Sequence, residues 1–533
     1  METNRLHSKV DICRLKAIEY NKALWAICFE TAISHRDVDT YLRLRYKPAM
    51  NLYSPEAVYR LDQAAVEYDG YSEIELMGLA GERVWQHVHR RWPQVVQITL
   101  FAGSGNNGGD AFVVALCAHR LGVAVQLLVQ GDLQKQSATS QYFRELWRQA
   151  GGSWEPWQGQ TLTGEVIVDG LLGIGLQREL DAEWQALIET INQQPVPRIA
   201  IDIPSGLSGY NGNVQPLAVQ ADLTVTFIGA KTGQYLADGP DYCGELVYED
   251  LGVSSRVKAS VAPELTVIET CQLPQPRRKN SHKNHYGHVL LVGGDRGMSG
   301  AIGLAAHAAL RSGAGLVTAL VQSECTQNLA SIPEVMTLDW NSLEEKLELA
   351  TVVVVGPGLG DSRAAHKCLH ILSDSKLPMV IDAGALQQKF LCDLSSDQVV
   401  ITPHPGEAGQ LLESNAVAVQ ADRLQACRKL VESYDLTCVL KGSGTLVADR
   451  EQTAINVRGN PGMAGAGMGD VLAGMIAAML GQGLAAFDAA RSAVLIHALA
   501  AENYAADRDQ TGLIARDIID SIPRIIHRLR DVG

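Results

Sequence analysis

Residues 459–474 read GNPGMAGAGMGDVLAG: five of the first eleven are glycines, one acid follows at Asp470, and an apolar run comes next. Glycine leaves the backbone free to bring its N–H groups against an anion. The apolar run reads as a helix beginning near Gly469, whose N-terminus carries unpaired donors and partial positive charge. Asp470 would then be a carboxylate at the mouth of an anion hole, placed to take a proton from a substrate hydroxyl. A tight loop whose Asp only caps its helix is the competing reading. The stretch by itself leaves both open.

Other clusters lie upstream in the same half of the chain. Residues 286–301 (YGHVLLVGGDRGMSGA) are a strand run ending in a glycine-rich turn, and GPGLG at 356–360 follows four consecutive valines. TPHPGE at 402–407 sets His404 between two prolines that restrict the backbone. KGSGT at 441–445 offers a cation, small residues and hydroxyls suited to a nucleotide phosphate. His282, His285 and His288 have no accompanying cysteine or acid cluster, so a metal site is not expected there.

In the first half, residues 102–110 (AGSGNNGGD) contain G-x-G-x-x-G at Gly103, Gly105 and Gly108 between a strand run and a helical run. That pattern alone is a weak dinucleotide signal, and the acid expected about 20 residues on is replaced by Leu128-Val129-Gln130. Asp169 ends EVIVD and precedes GLLGIGLQRE, and Asp202 opens DIPSG. Asn107, Asp169 and Ser205 together offer oxygens to a weakly charged cation. Taken singly, each reads better as a cap or turn residue.

The elements that must position these residues are strands alternating with helices. Apolar strand runs at 95–101, 123–129, 165–168, 198–203 and 223–228 leave room for helices between them, 111–121 among these. A second series runs through 288–292, 316–321, 351–355, 379–382, 399–402 and 437–440, and the chain is mostly helical from Asp470 onward. This alternation indicates parallel sheets covered on both faces, whose ligands bind at the strands' carboxyl ends. A chain of 533 residues is too long for one ordinary core. The joint LPQPRRK at 273–279 divides it into a domain over 50–265 and another over 280–533. Residues 1–49 form an extension of unknown role, and Ser54-Pro55-Glu56 reads as a helix cap after Met50. A net charge of −14 argues against nucleic acid as the main partner. Ten scattered cysteines fit reduced thiols, and no apolar run nears the roughly 18 residues of a membrane span. With no signal peptide visible, a cytoplasmic location is expected.

The clusters NNGGD, Asp169 to Gly175 and DIPSG together resemble the NAD(P)H-hydrate epimerase domain, also called the YjeF N-terminal domain, over about 50–262. The resemblance implies a Rossmann-like αβα domain that interconverts the R and S forms of hydrated NADH or NADPH. It puts the hydrate on Asn106, Asn107, Gly108, Gly109, Asp110, Gly173, Ile174, Gly175, Leu176, Gln177, Arg178, Glu179 and Asp202. Potassium would be held by Asn107, Asp169 and Ser205, with Asp202 as acid/base. Trp184 stands where the family is expected to use a tyrosine.

GHVLLVGG, GAGLVT (313–318), PEVM (333–336), GPGLG, TPHPGE, LKGSGT, NPGMAGAGMGD and GLIARD (512–517) resemble the ADP-dependent NAD(P)H-hydrate dehydratases, which are ribokinase-like. This resemblance implies a second αβα domain with the nucleotide on Lys441, Gly442, Ser443, Gly444, Thr445 and Gly469. The hydrate would meet Ala301, Gly358, His404 and Asp470. ADP is the implied co-substrate, Mg²⁺ the expected accompanying ion, and the NADH and NADPH hydrates the small-molecule partners. A homo-oligomer, with no nucleic-acid or membrane partner, is expected. Gly384, in DAGAL at 382–386, departs from the family's second Asp. Two rival readings are a ribokinase-like small-molecule kinase and a non-catalytic binding role for the first domain.

Overall fold

The structure is a computed structural model that describes residues 50–175 and 179–532. The extension 1–49 and three expected hydrate contacts, Leu176, Gln177 and Arg178, lie outside the described residues.

Seven strands of the first half form one sheet, ordered Glu155–Pro156, Ala124–Val129, Gln97–Ala102, Val166–Gly170, Arg198–Ile201, Leu223–Phe227 and Glu245–Glu249. Every pairing is parallel. The two faces bury different residues of the same strands, as a period of two requires. Ile98, Leu100 and Ala102 face the helices Pro55–Asp69, Glu73–Arg91, Asn106–Arg120 and Ala138–Gln149. Phe101 and Ile167 face the helix Ala182–Asn192. The result is the three-layer αβα domain expected from the alternation. The Ser54 hydroxyl accepts from Ala57 N at 3.3 Å, with Pro55 in the first turn of its helix, as the cap signature indicates.

The helix after Gln97–Ala102 starts at Asn106, five residues before the expected 111. Its glycines are there for close approach. A Cβ on Gly108 would stand 2.0 Å from the Gly103 carbonyl oxygen. NNGGD is therefore the first turn and a half of a helix, aiming its side chains from a fixed scaffold.

The second sheet has twelve strands. Met336–Asp339, Leu316–Val321, His288–Val292, Val352–Val355, Met379–Ile381, Val399–Ile401 and Thr437–Leu440 are parallel neighbours. Thr445–Ala448 and Thr453–Asn456 continue it antiparallel. One face packs on Ser299–Arg311, Met468–Gly481 and Ala486–Ala505, the other on Arg363–Ser373 and Arg423–Tyr434. Three short strands from the first half then complete the sheet: Leu265–Val267 pairs parallel with Thr453–Asn456, Asn51–Tyr53 joins it, and Ala230–Lys231 forms the edge. Backbone hydrogen bonding thus runs without interruption from the second domain to residues 230–231. No helix among the described residues is long and apolar enough to cross a membrane.

The helix Met468–Gly481 is apolar nearly all round because it lies between the sheet and two other helices. A Cβ on Gly474 would lie 2.0 Å from the Ala305 carbonyl oxygen, so glycine sets the spacing of this helix from Ser299–Arg311. Gly474→Ala gains about 1 kcal/mol of helix propensity. The clash is with backbone, which cannot swing aside, and overpacking of this kind costs about 1–3 kcal/mol. A net loss of stability is expected in urea denaturation.

Candidate active sites

Two groups of side chains gather at the carboxyl ends of the parallel strands, one in each sheet. In the first, Asp169 is the last residue but one of its strand and is fully buried. Its Oδ1 accepts from Leu171 N at 3.1 Å and from the Ser205 hydroxyl at 2.6 Å, and its Oδ2 accepts from Ser205 N at 2.8 Å. Burial pushes its carboxyl up to about 6 against the pull of those hydrogen bonds. The Asn107 amide donates to Leu172 O at 2.9 Å, and Leu172 N donates to the Ser205 hydroxyl at 2.9 Å. Asn107 and Ser205 therefore meet at the Leu172 backbone, and Ser205 joins them to Asp169. A single carboxylate among neutral oxygens suits a weakly charged cation.

Asp202 stands at the end of the neighbouring strand with φ of 65°. Its Oδ1 receives the Lys231 ammonium, the Thr226 hydroxyl at 3.1 Å and Phe227 N at 3.4 Å. Lys231 is fully buried and also donates to the Thr226 hydroxyl at 2.9 Å. Two further acids share this field. Burial and the Asp202 charge raise Asp62 to about 7 although Lys231 pulls it down. Asp110 is held well above the carboxylate range by burial, then by Asp202 and Asp62. Burial and the nearby acids also raise the Tyr59 hydroxyl, which lies 3.5 Å from where a Cβ on Gly175 would stand. Asn106 instead faces outward and accepts from the Ser137 hydroxyl at 2.8 Å. Gly109 packs against Ser140 and Met77, Gly173 beside Asn107, and Ile174 against the apolar residues around Ile203. Glu179 is exposed. Trp184 is buried among Leu180, Leu187 and Ile188 on the opposite side of the sheet, where it serves the core.

The second site is built over the N-terminus of Met468–Gly481, which no side chain caps. Asp470 lies in its first turn, so the cap reading does not hold. The Lys441 ammonium contacts Asp382 Oδ1 at 2.8 Å and Glu407 Oε2 at 3.8 Å. A Cβ on Gly469 would lie 3.0 Å from Lys441 Nζ and 3.6 Å from Asp382 Oδ2, so both groups stand directly over the helix start. Burial raises Asp470 to about 6, with Asp382 and Glu407 adding to the shift and Lys441 opposing it. His404 is the N-cap of Pro405–Leu411: its Nδ1 accepts from Gly406 N at 3.0 Å and Glu407 N at 3.3 Å, while Glu407 Oε2 accepts from His404 N at 2.7 Å. Its other ring nitrogen, Nε2, lies 3.5 Å from Glu407 Oε1, so the half-exposed imidazole and Glu407 are held against each other. Ala301 and Gly358 come together at Met298, whose carbonyl oxygen accepts from Ala301 N at 3.3 Å. Gly442, Ser443, Gly444 and Thr445 form the turn between two strands, closed by the Thr445 hydroxyl on Gly442 O at 2.8 Å. Buried Arg423 braces the turn from beneath, donating to Leu440 O, Lys441 O and Gly444 O at 3.3 Å each. His288 of the histidine triplet is engaged by protein at both nitrogens, with Thr318 Oγ1 at 2.8 Å and Leu349 O at 3.1 Å.

A family model described as YjeF-related protein N-terminus matches residues 73–233, and one described as NAD(P)H-hydrate dehydratase matches residues 289–524. The bifunctional NAD(P)H-hydrate repair enzyme of Coxiella burnetii is 39% identical over 485 residues, covering 89% of this chain and 99% of that one. Its Escherichia coli counterpart is 38% identical, covering 88% and 93%. The chain belongs to the bifunctional NAD(P)H-hydrate repair enzymes. Among solved structures, the ADP/ATP-dependent NAD(P)H-hydrate dehydratase of Bacillus subtilis, co-crystallised with ATP and Mg²⁺, is 28% identical over 48% of this chain and 94% of that one, with a TM-score of 0.45.

In this repair enzyme several site residues escaped sequence reasoning. Lys231, Asp62 and Tyr59 were invisible because nothing local ties them to Asp202. Lys231 had one signal, a lone cation closing the apolar run LTVTFIGAK. Glu407 and Asp382 lie inside TPHPGE and DAGAL, beside the more conspicuous His404 and Gly384. A strand-terminal Asp after MVI was the signal for Asp382.

Proposed function

We infer that the chain epimerises the R and S hydrates of NADH and NADPH and dehydrates the S form, consuming ADP and yielding AMP and phosphate. The carrying observation is the match to bifunctional relatives along nearly their whole length, with acid-bearing sites at the strand ends of both sheets. We assign epimerisation to residues 50–265 and dehydration to residues 280–533.

In the dehydratase site, hydroxide is a poor leaving group and phosphorylation makes it a good one. Asp470 takes the proton as the hydrate oxygen attacks the terminal phosphorus of ADP and the bond to AMP breaks. The amides of 466–469 and Lys441 stabilise charge on the phosphoryl group in flight. Departure of phosphate with loss of the neighbouring C–H proton restores the dihydropyridine. KGSGT holds the nucleotide, and His404 with Ala301 and Gly358 contacts the hydrate. Among the described residues no three of His, Cys, Asp and Glu are disposed to cage a metal. Mg²⁺ binds through one or two carboxylates and the substrate phosphates, and Asp382 and Glu407 are the carboxylates that would hold it beside Lys441. When bound it neutralises phosphate charge.

In the epimerase site, Asn107, Asp169 and Ser205 would hold K⁺, which supplies positive charge to a buried carboxylate and fixes the loop at Leu172. Inversion needs the carbinol C–O bond to break with a proton delivered to the departing oxygen, and water to add to the other face with a proton removed. Asp202 is positioned for that removal, and Asp110, whose carboxyl burial holds well above the usual carboxylate range, shares the same field as the candidate donor. A homo-oligomer in the cytoplasm belongs to the same reading, with sedimentation testing the first.

The test is a repair assay on separated epimers with ADP and with ATP. The S hydrate should return NADH directly with ADP, and the R hydrate at a rate set by epimerisation. Failure to recover NADH from either would overturn the function.

A further inference from the structure

Resting on that reading, we propose that Lys231 is the positioning residue of the epimerase site, anchoring one oxygen of Asp202 so that the other alone is presented to the hydrate. Asp202 Oδ1 receives three donors: the Lys231 ammonium, the Thr226 hydroxyl at 3.1 Å and Phe227 N at 3.4 Å. Among the described residues no hydrogen bond reaches Oδ2. The carboxylate is therefore asymmetric, with three donors on Oδ1 and none on Oδ2 among the described residues.

Lys231 is itself held at both ends. Its ammonium bonds Thr226 at 2.9 Å, and its backbone N–H donates to Gln234 Oε1 at 2.8 Å. Gln234 Nε2 returns to the Asp202 carbonyl at 2.7 Å, closing a ring of contacts around the acid. The strand Ala230–Lys231 pairs with Asn51–Tyr53, so the anchor is fixed to a sheet and not to a loop. A purely stabilising role accounts poorly for this arrangement. A fully buried ammonium is expensive to desolvate, and apolar replacement of a buried pair is often neutral or better. The backbone of Asp202 also adopts a left-handed conformation, an uncommon one for a residue other than glycine, to keep its carboxylate there.

The charged groups facing Lys231 are Asp202, Asp62 from Pro55–Asp69 and Asp110 from Asn106–Arg120, while Tyr59 shares the field of Asp202 and Asp62. Lys231 lowers both Asp62 and Asp110, so its removal raises them further.

Lys231→Met in the full chain tests this, with dehydration of the S hydrate by ADP as the internal control for folding. The expected result is a fall in epimerase kcat of about 10²-fold, the scale of a misplaced reacting group. KM should be nearly unchanged, the acid limb of the rate–pH profile should move to higher pH, and dehydration should proceed at the wild-type rate. A variant that epimerises with wild-type kcat and pH profile overturns the proposal. Should Lys231→Met lose both activities by misfolding, Thr226→Val decides. It removes one donor from Oδ1 without changing charge, and a severalfold loss of epimerase kcat with the pH profile in place supports the anchor. Unchanged kcat in Thr226→Val overturns it. If the wild-type chain itself fails to accelerate use of the R hydrate, the functional reading falls and not the anchor.

Discussion

Asp470→Asn should abolish dehydration while leaving epimerisation intact, with a loss in kcat of about 10²–10⁴-fold, the range for removing a general base. Asn keeps the shape and the helix start but cannot accept a proton from the hydrate hydroxyl. The wild-type rate should fall as pH drops through about 6, where burial and the charges of Asp382 and Glu407 place the Asp470 carboxyl. The limb belongs to the cluster, since Lys441 couples the three acids. The same shift has a consequence for stability. The folded value lies above the ordinary 3.8, so ionising Asp470 opposes folding, and stability drains away as pH rises from about 4 to about 6. Above that window Asp470→Asn should therefore melt at a higher temperature than the wild type while being inactive. A variant with near-normal dehydration at pH 8 would remove Asp470 from the mechanism.

Asp202→Asn should lower the enzymatic epimerisation rate by about 10²–10⁴-fold, measured as consumption of the R hydrate, with the S hydrate still dehydrated. Asn tolerates the left-handed backbone found at this position, so the fold around it is retained. The stability effect should run opposite to that at Asp470. Removing the carboxylate leaves the buried Lys231 ammonium facing a neutral amide, and breaking such a pair is strongly destabilising. A lowered melting temperature with dehydratase activity retained is expected. The two substitutions, chemically alike, differ because one acid is raised by its surroundings and the other is paired.

The strands that carry these acids were readable where they are long and apolar on both faces. Val352–Val355, His288–Val292 and Thr437–Leu440 fall where the apolar runs place them, since buried parallel strands need apolar residues at every position. Asp169 and Asp202 were readable as strand-terminal acids for the same reason. The helix start at Asn106 was not, because glycine normally argues against helix and only the approach to Gly103 explains it. His404 was visible between its prolines, but its part as an N-cap depends on Nδ1 meeting two backbone amides. The joining strands Asn51–Tyr53, Leu265–Val267 and Ala230–Lys231 are two or three residues long, too short to show a period.

What the sequence determined alone is local: glycine-rich turns and acids at the ends of apolar runs, and hence two αβα units with a glycine-rich helix start near Gly469. Only the tertiary structure decided which charges act on which. Lys231 meets Asp202 from 29 positions away, and Asp62 and Asp110 arrive from two different helices. Lys441 joins Asp382, 59 positions distant, over the helix that bears Asp470. Coulomb forces and desolvation depend on distance and burial, and neither is written in the order of residues along a chain.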